Sequence, residues 1–456
     1  MVRARLAALL LFAAALVLPS SPAAAALPAD PAKWTDGQLA AQLVVASVPM
    51  SSLSTARSWA SAGLGGVVLL GTPPSDLRTQ LASVRAAGPV VPFVMSDEEG
   101  GRVQRLARAI YALPSAEWMG LNREPWQVQT RALDYAKRMR ALGVDVDLAP
   151  VADIKVPGYY IERSDRAFAK APSTVGKFVT AWHKGMRPAH VLTVAKHWPG
   201  HGQATDTHSG GATTPPLSTM EDRDMVPFEM AVAAGVPAVM VGHLKVPGLT
   251  EPGTPASISP KALKYLRAKI GSGRLILTDS LSMRAITSLG ISPAEAAVRA
   301  LRYGADMALV DTDPMAVVSR IRTALGNGSY SRASAVASVR RVLAAKRWTT
   351  PPNLPLGPSP AHGTTGLSVT PTISAVDSNR VPGMDTMYFY VRRAGSATWD
   401  ISNNKAVKVA NGTRARYTIE AGKLARGRSY EWVAKPCNAA GYCGAKTAVR
   451  RFKTAA

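Results

Sequence analysis

The sequence predicts an α/β fold: a (β/α)8 TIM-type barrel followed by a small C-terminal all-β sandwich of immunoglobulin or fibronectin type. Three observations predict it. Eight short runs rich in Val, Leu and Ile, without polar alternation, are separated by segments of helical spacing, as in strands covered on both faces by helices. A proline-rich stretch then interrupts the chain, and beyond it short alternating segments are divided by Gly, Asn and Asp turns. A doubly wound sheet is the alternative for the first part. With 47% hydrophobic and 18% charged residues, the 456-residue chain is not composed like a disordered or collagenous protein.

The elements follow in order. Residues 1–26 open with Arg3 and Arg5, run apolar from Leu6 to Leu18 and end in Ala24-Ala25-Ala26, which is the pattern of a Sec-type signal peptide. Those 13 apolar residues fall short of the roughly 20 needed to cross a bilayer. No transmembrane segment is expected elsewhere, and a secreted, extracellular or wall-associated protein is. The candidate barrel strands are Leu43–Pro49, Gly65–Leu70, Val91–Ser96, Val144–Ala149, Leu192–Ala195, Ala238–Val241, Leu275–Thr278 and Asp306–Val310. Candidate helices between them include Asp76–Ala87, Gln127–Leu142, Thr174–Arg187, Asp222–Ala234 and Pro260–Ile270. The barrel domain is thus expected over 27–348.

Residues 349–366 carry five prolines and no charged side chain, the composition of an extended linker. The β-module is expected over 367–456, with strands at Thr386–Val391, Ala415–Ile419 and Tyr430–Ala434. Its Cys437 and Cys443 are the only cysteines, and in an exported protein this close pair reads as a disulfide worth about 2 kcal/mol on the loop-entropy estimate. Two thiolates alone do not make a zinc site, which needs four ligands.

Reactive groups in such barrels come from the C-terminal ends of strands. Three Gly-flanked or charged clusters stand there: Asp97-Glu98-Glu99-Gly100-Gly101-Arg102, Lys196-His197-Trp198-Pro199-Gly200-His201-Gly202, and Asp279-Ser280. The segment KHWPGHGQATDTHSGG holds His197, His201 and His208, three of the seven histidines. An HxxxH pair binds metal most readily on a helical turn, and Pro199 and Gly200 forbid one here, so no metal is assigned. The glycines instead describe a tight loop that delivers Asp206 and His208 together. A carboxylate two residues from an imidazole can hold and polarise it for proton transfer. Asp279, emerging from the buried run LILT, is then the candidate nucleophile or charge stabiliser.

In order along residues 35–345, the segments DEEGGRVQRL, SDRAF, KHWPGHGQATDTH and LILTDSLSM, supported by LPSAEWMG, LAPVAD and PAVMVGHLKVPG, resemble the signature segments of glycoside hydrolase family 3. The D-x-H loop is similar to that of its bacterial β-N-acetylhexosaminidase branch. The resemblance implies Asp279 as the nucleophile of a retaining exo-β-N-acetylglucosaminidase and His208, paired with Asp206, as the general acid/base. It implies Asp97, Arg105, Arg166, Lys196 and His197 as the residues that grip the hydroxyls of an N-acetylglucosamine ring. No metal or organic cofactor is implied. The sequence departs from the branch at Ser280, where many members carry a second acid.

The formal charge is +24, from 54 Lys and Arg against 30 Asp and Glu. Residues 361–456 hold 15 Lys and Arg against 5 Asp and Glu, a net of +10. With no nucleic-acid motif present, this points to anionic cell-wall polymers as the partner of the module and N-acetylglucosamine-containing saccharides as the partner of the barrel. A family 3 β-glucosidase or β-xylosidase and a non-catalytic wall-binding protein are the rival readings.

Overall fold

The computed structural model describes residues 27–456; the leader expected over 1–26 lies outside the described residues. Eight parallel strands form the first unit: β1 (Val44–Pro49), β2 (Gly66–Leu70), β3 (Phe93–Ser96), β4 (Val146–Asp147), β5 (Leu192–Trp198), β6 (Ala238–Val241), β7 (Leu275–Thr278) and β8 (Ala308–Val310). They neighbour one another in chain order, β8 pairs with β1, and the Leu277–Met307 bridge closes β7 onto β8. The expected (β/α)8 barrel is therefore present. Alternate side chains such as Val45, Val68, Met95, Val194, Met240 and Leu277 fill the interior, while Val44, Val67, Val94 and Val239 pack outward under the helices. Burial on both faces is why these runs read as continuously apolar.

The outer ring includes α1 (Asp36–Gln42), α2 (Leu53–Ser61), α3 (Leu77–Ala87), α4 (Pro125–Leu142), α5 (Pro172–Met186), α6 (Val226–Ala233), α7 (Pro260–Ile270), α8 (Pro293–Tyr303), α9 (Pro314–Gly326) and α10 (Arg332–Thr349). Val342, Ala345 and Trp348 of α10 stop the N-terminal end of the barrel by packing with Phe93 and Leu192. The helix expected over 222–234 is the shorter Val226–Ala233, and Asp222 instead ends a preceding helix, Leu217–Asp222. Pro227 lacks an amide hydrogen and fits only the first turn of the second helix, so the chain breaks before it. Strand β5 runs past its expected end at Ala195 to Trp198, which places Lys196 and His197 on the strand itself.

Eight further strands form two sheets: β9 (Leu356–Ser359), β10 (Thr364–Leu367), β11 (Thr372–Val376), β12 (Met384–Arg393), β13 (Ser402–Ala410), β14 (Arg414–Thr418), β15 (Ser429–Asn438) and β16 (Arg450–Thr454). One sheet is ordered β9-β11-β14 and the other β10-β16-β15-β12-β13. Between them lie Ile373, Met387, Phe389, Val391, Tyr430, Trp432 and Phe452. Residues 349–366, read as a linker, contribute β9 and the start of β10; Pro358 is accommodated because β9 is an edge strand with one neighbour. Cys437 and Cys443 are bonded to each other.

The sandwich sits on the N-terminal end of the barrel. Arg380 Nη1 donates to the Arg85 carbonyl (3.2 Å), Asn438 Nδ2 to that of Thr350 (3.2 Å) and Asn411 Nδ2 to that of Leu27 (3.1 Å). The Tyr442 ring stacks on His190 at 3.9 Å, and Val381 joins the barrel's outer apolar cluster.

Candidate active site

After β3 the chain makes a short hairpin, Glu98–Gly100 against Val103–Gln104. Gly100 has φ 87°, and a Cβ there would meet the Pro114 carbonyl oxygen at 2.1 Å, so the turn tolerates only glycine. The hairpin aims Asp97 and Glu99 at β5. Lys196 Nζ lies 2.6 Å from Asp97 Oδ1 and 2.7 Å from Glu99 Oε1. Arg166 grips Glu99 with two bonds, Nε to Oε2 at 2.7 Å and Nη2 to Oε1 at 2.8 Å. Arg105 Nη2 stands 3.6 Å from Asp97 Oδ2. Polar residues thus occupy a buried strand because each has an ionic partner.

Burial opposes ionisation of Glu99, but Arg166 and Lys196 outweigh it and hold the carboxyl well below its ordinary value. Burial likewise opposes the charge of Lys196, and Asp97 and Glu99 reverse that, raising the ammonium. Glu99→Gln leaves two buried cations short of an anion. It should destabilise the protein by about 3 kcal/mol and weaken substrate binding, read by thermal melts and KM; unchanged melting would contradict this role.

His197 is oriented from behind. Its Nδ1 lies 2.8 Å from Asp153 Oδ2 and its Nε2 3.3 Å from Arg166 Nη2, which together assign the ring proton to Nδ1. Asp153 Oδ1 also accepts the amides of His197 (3.2 Å) and His201 (2.7 Å), and so folds the start of the histidine-rich loop.

Asp279 follows the last residue of β7. Its amide donates to the Val241 carbonyl (2.9 Å), and its Oδ1 accepts the Ser280 amide (2.8 Å). Burial pushes the carboxyl up, but His197, His243, the Ser280 amide and Lys196 more than offset this, leaving it below the usual range and ionised. His243 lies fully buried beneath it, donating from Nε2 to the Ser280 carbonyl (2.7 Å) and accepting from Ser257 Oγ at Nδ1 (2.8 Å). Ser280, at the departure from the family pattern, donates from Oγ to Asp311 Oδ2 (2.5 Å) at the end of β8.

His208 is exposed and rides the loop between β5 and α6. Asp206 Oδ1 accepts both the His208 amide (3.0 Å) and Nδ1–H (2.7 Å). With Nδ1 engaged, Nε2 is the nitrogen left to meet a substrate. Burial works against the Asp206 charge, and the two bonds from His208 prevail, holding its carboxyl below the ordinary value.

A cavity of about 330 Å³ at the C-terminal end of the barrel is lined by Asp97, Arg105, Arg166, Lys196, His197, His208 and Asp279. Asp206 stands behind His208 rather than in the lining. The structure adds Glu99, Tyr160 and Asp311 to the walls, with Asp153 and His243 supporting them. Glu99, Asp153 and His243 fall inside segments singled out in the sequence, which does not give their partners, and Asp311 falls in none of them.

A second carboxyl pair lies under the hairpin. Glu98 accepts from Tyr135 (2.6 Å) and Ser96 (2.5 Å), and Asp147 accepts from Trp182 Nε1 (2.8 Å) and the Glu98 amide (3.2 Å). Burial pushes Glu98 up to about 7 and Asp147 up to about 8. Below pH about 4.5 Glu98 is protonated folded or unfolded; between there and about 7 only the folded chain keeps the proton, so stability falls as pH rises. The melting temperature of the wild type relative to Glu98→Gln should therefore decline between about pH 5 and 8; a constant difference would count against it.

Residues 40–345 match the Glycosyl hydrolase family 3 N terminal domain. The chain is 39% identical over 311 residues to Beta-hexosaminidase LpqI of Mycobacterium tuberculosis, covering 65% of this chain and 77% of that protein. A family 3 glycosyl hydrolase structure from Mycobacterium smegmatis superposes with a TM-score of 0.64 at 37% identity, over 69% of this chain and 98% of that one. A β-N-acetylglucosaminidase structure from a Paenibacillus species superposes with a TM-score of 0.65 at 28% identity, over 69% of this chain and 63% of its own. With that match spanning the barrel and its polar cavity, the chain belongs to glycosyl hydrolase family 3 and is a glycoside hydrolase.

Proposed function

We propose that this glycoside hydrolase is a secreted, retaining exo-β-N-acetylglucosaminidase that removes terminal β-linked N-acetylhexosamine from peptidoglycan- or chitin-derived saccharides. The observation that carries the reading is the pairing, in one cavity, of the ionised Asp279 with an Asp206-held His208. Relatives named beta-hexosaminidase support the N-acetyl sugar. A cavity of about 330 Å³ suits one terminal ring rather than a polymer groove.

With Oδ1 of Asp279 held by the Ser280 amide, Oδ2 is the attacking oxygen. It bonds to the anomeric carbon as the glycosidic C–O bond breaks, and His208 Nε2–H passes its proton to the departing oxygen. Water then attacks the glycosyl ester, giving its proton to Nε2 and releasing Asp279, so two inversions restore the β-anomer. Asp206 stabilises the imidazolium that exists before the first step and after the second. Asp97, Arg105, Arg166, Lys196 and His197 supply fixed donors and acceptors for the ring hydroxyls. The separation rule for two-carboxylate glycosidases does not apply to a carboxylate and an imidazole.

The purified protein should hydrolyse 4-nitrophenyl N-acetyl-β-glucosaminide at least about 100-fold more efficiently than 4-nitrophenyl β-glucoside. Equal rates would favour a β-glucosidase, and no turnover of either a wall-binding protein. The leader supports export, and intact mass of the exported protein should begin at Leu27. The +10 of residues 361–456 supports electrostatic attachment of the module to anionic wall polymers.

A further inference from the structure

The M. smegmatis structure is covered over 98% of its length by 69% of this chain, which leaves no room in it for a second unit like this sandwich. The sandwich therefore adds something to the barrel, and one face of it has the form of a site. In β12, Met387, Phe389 and Val391 point into the core, so the alternation of a strand turns Tyr388 and Tyr390 outward. The register sets Lys408 of β13 beside Thr386, and Lys435 of β15 beside Tyr388.

Tyr388, Tyr390, Lys408 and Lys435 line a cavity of about 410 Å³, walled on one side by the Cys437–Cys443 loop. Trp399 meets Tyr390 edge-on at 6.3 Å. Lys446 Nζ lies 4.7 Å from the Tyr390 ring centre and 5.8 Å from that of Trp399, and the Arg392 guanidinium lies 4.5 Å from Trp399.

Among the described residues, Lys408, Lys435 and Lys446 form no ion pair, so their charge is available. Of the nearby acids, Asp385 feels the charge of Lys408, but burial pushes its carboxyl up toward the neutral form. Glu431 is held by Arg392 (2.8 Å) and Arg451 (2.7 Å), and Asp400 stands in the loop beyond Trp399. A row of half-buried aromatic rings flanked by unpaired ammonium groups presents flat apolar surface and positive charge together. A ring-free polyanion would use only the second, and a neutral glycan only the first.

We infer that this face binds an anionic polysaccharide, its pyranose rings lying on Tyr388, Tyr390 and Trp399 and its carboxylate or phosphate substituents meeting Lys408, Lys435 and Lys446. The inference deepens, and rests on, the reading that the module attaches the enzyme to acidic wall polymers.

The test measures binding of the mature full-length protein to polygalacturonate, phosphomannan, inorganic polyphosphate and chitohexaose, as wild type, as Tyr388→Ala/Trp399→Ala and as Lys408→Gln/Lys435→Gln/Lys446→Gln. The anionic glycans should bind more tightly than either polyphosphate or chitohexaose. Each variant should lose about tenfold or more in affinity, the lysine variant with a flatter salt dependence and both with unchanged turnover of the aryl N-acetylglucosaminide. Polygalacturonate and phosphomannan distinguish carboxylate from phosphate as the preferred substituent. The lysine substitutions alter only exposed or half-exposed stems, so they test the face even where loss of two aromatics impairs folding. Polyphosphate binding as tight as that of the glycans, with the aromatic variant unaffected, overturns the site in favour of charge alone. Unchanged glycan affinity in both variants also overturns it; retention lost on deleting residues 361–456 would then show that attachment uses another part of the module. If the full chain binds none of the polymers, attachment itself fails.

Discussion

Asp279→Ala lowers kcat for 4-nitrophenyl N-acetyl-β-glucosaminide by about 10⁴-fold or more, the scale seen when an enzyme loses its nucleophile. The protein stays folded, because the only side-chain bond lost is the one from the Ser280 amide. Added azide identifies the role as well as the loss. In the space left by the carboxylate, azide attacks the anomeric carbon once, so the product is the α-glycosyl azide. A β-azide, or turnover within tenfold of wild type, would remove Asp279 from the role of nucleophile.

His208→Ala divides substrates by leaving group. For an aglycone of high pKa, such as a second sugar, kcat falls by about 10²–10⁴, since nothing now donates the proton. An activated nitrophenolate departs unaided, so its first step is nearly spared and hydrolysis of the glycosyl ester becomes limiting. Azide then intercepts that ester and gives the β-glycosyl azide, the opposite anomer from the Asp279 variant. Because His208 is exposed and bonded only to Asp206, melting is unchanged. A uniform loss across leaving groups, or no azide product, would mean that another residue moves the proton.

Much of the fold was legible because barrel strands buried on both faces leave long apolar runs, and Val44–Pro49, Ala238–Val241 and Leu275–Thr278 fall within a residue of their expected bounds. The misread places have physical causes. Lys196 and His197 look like the end of a strand, yet an ion pair from Lys196 to Glu99 and a hydrogen bond from His197 to Asp153 allow β5 to continue through them. Pro227, confined to a first turn, starts the helix at Val226 rather than at Asp222. The proline-rich stretch at 349–366 has an extended backbone compatible with a free linker or an edge strand, and only the presence of β11 beside it decides.

The residues expected to touch the sugar were legible through their glycine-rich surroundings and family resemblance. Their partners were not. Glu99, Asp153 and His243 stand inside segments that the sequence singles out, but, like Asp311, they act through contacts between segments far apart, which no local pattern gives. Asp311 is the clearest example: it meets the Ser280 hydroxyl from the neighbouring strand, so an acid missing after Asp279 in sequence is supplied from β8 in space.

The sandwich rests on the end of the barrel that α10 stops, while the cavity opens at the other. A molecule moored by its sandwich is mounted like a lamp on its base, with its working opening turned away from the mooring. On the proposed reading, a polymer bound by the sandwich and a glycan end entering the cavity would occupy opposite poles. Neither would then have to be released for the other to be engaged.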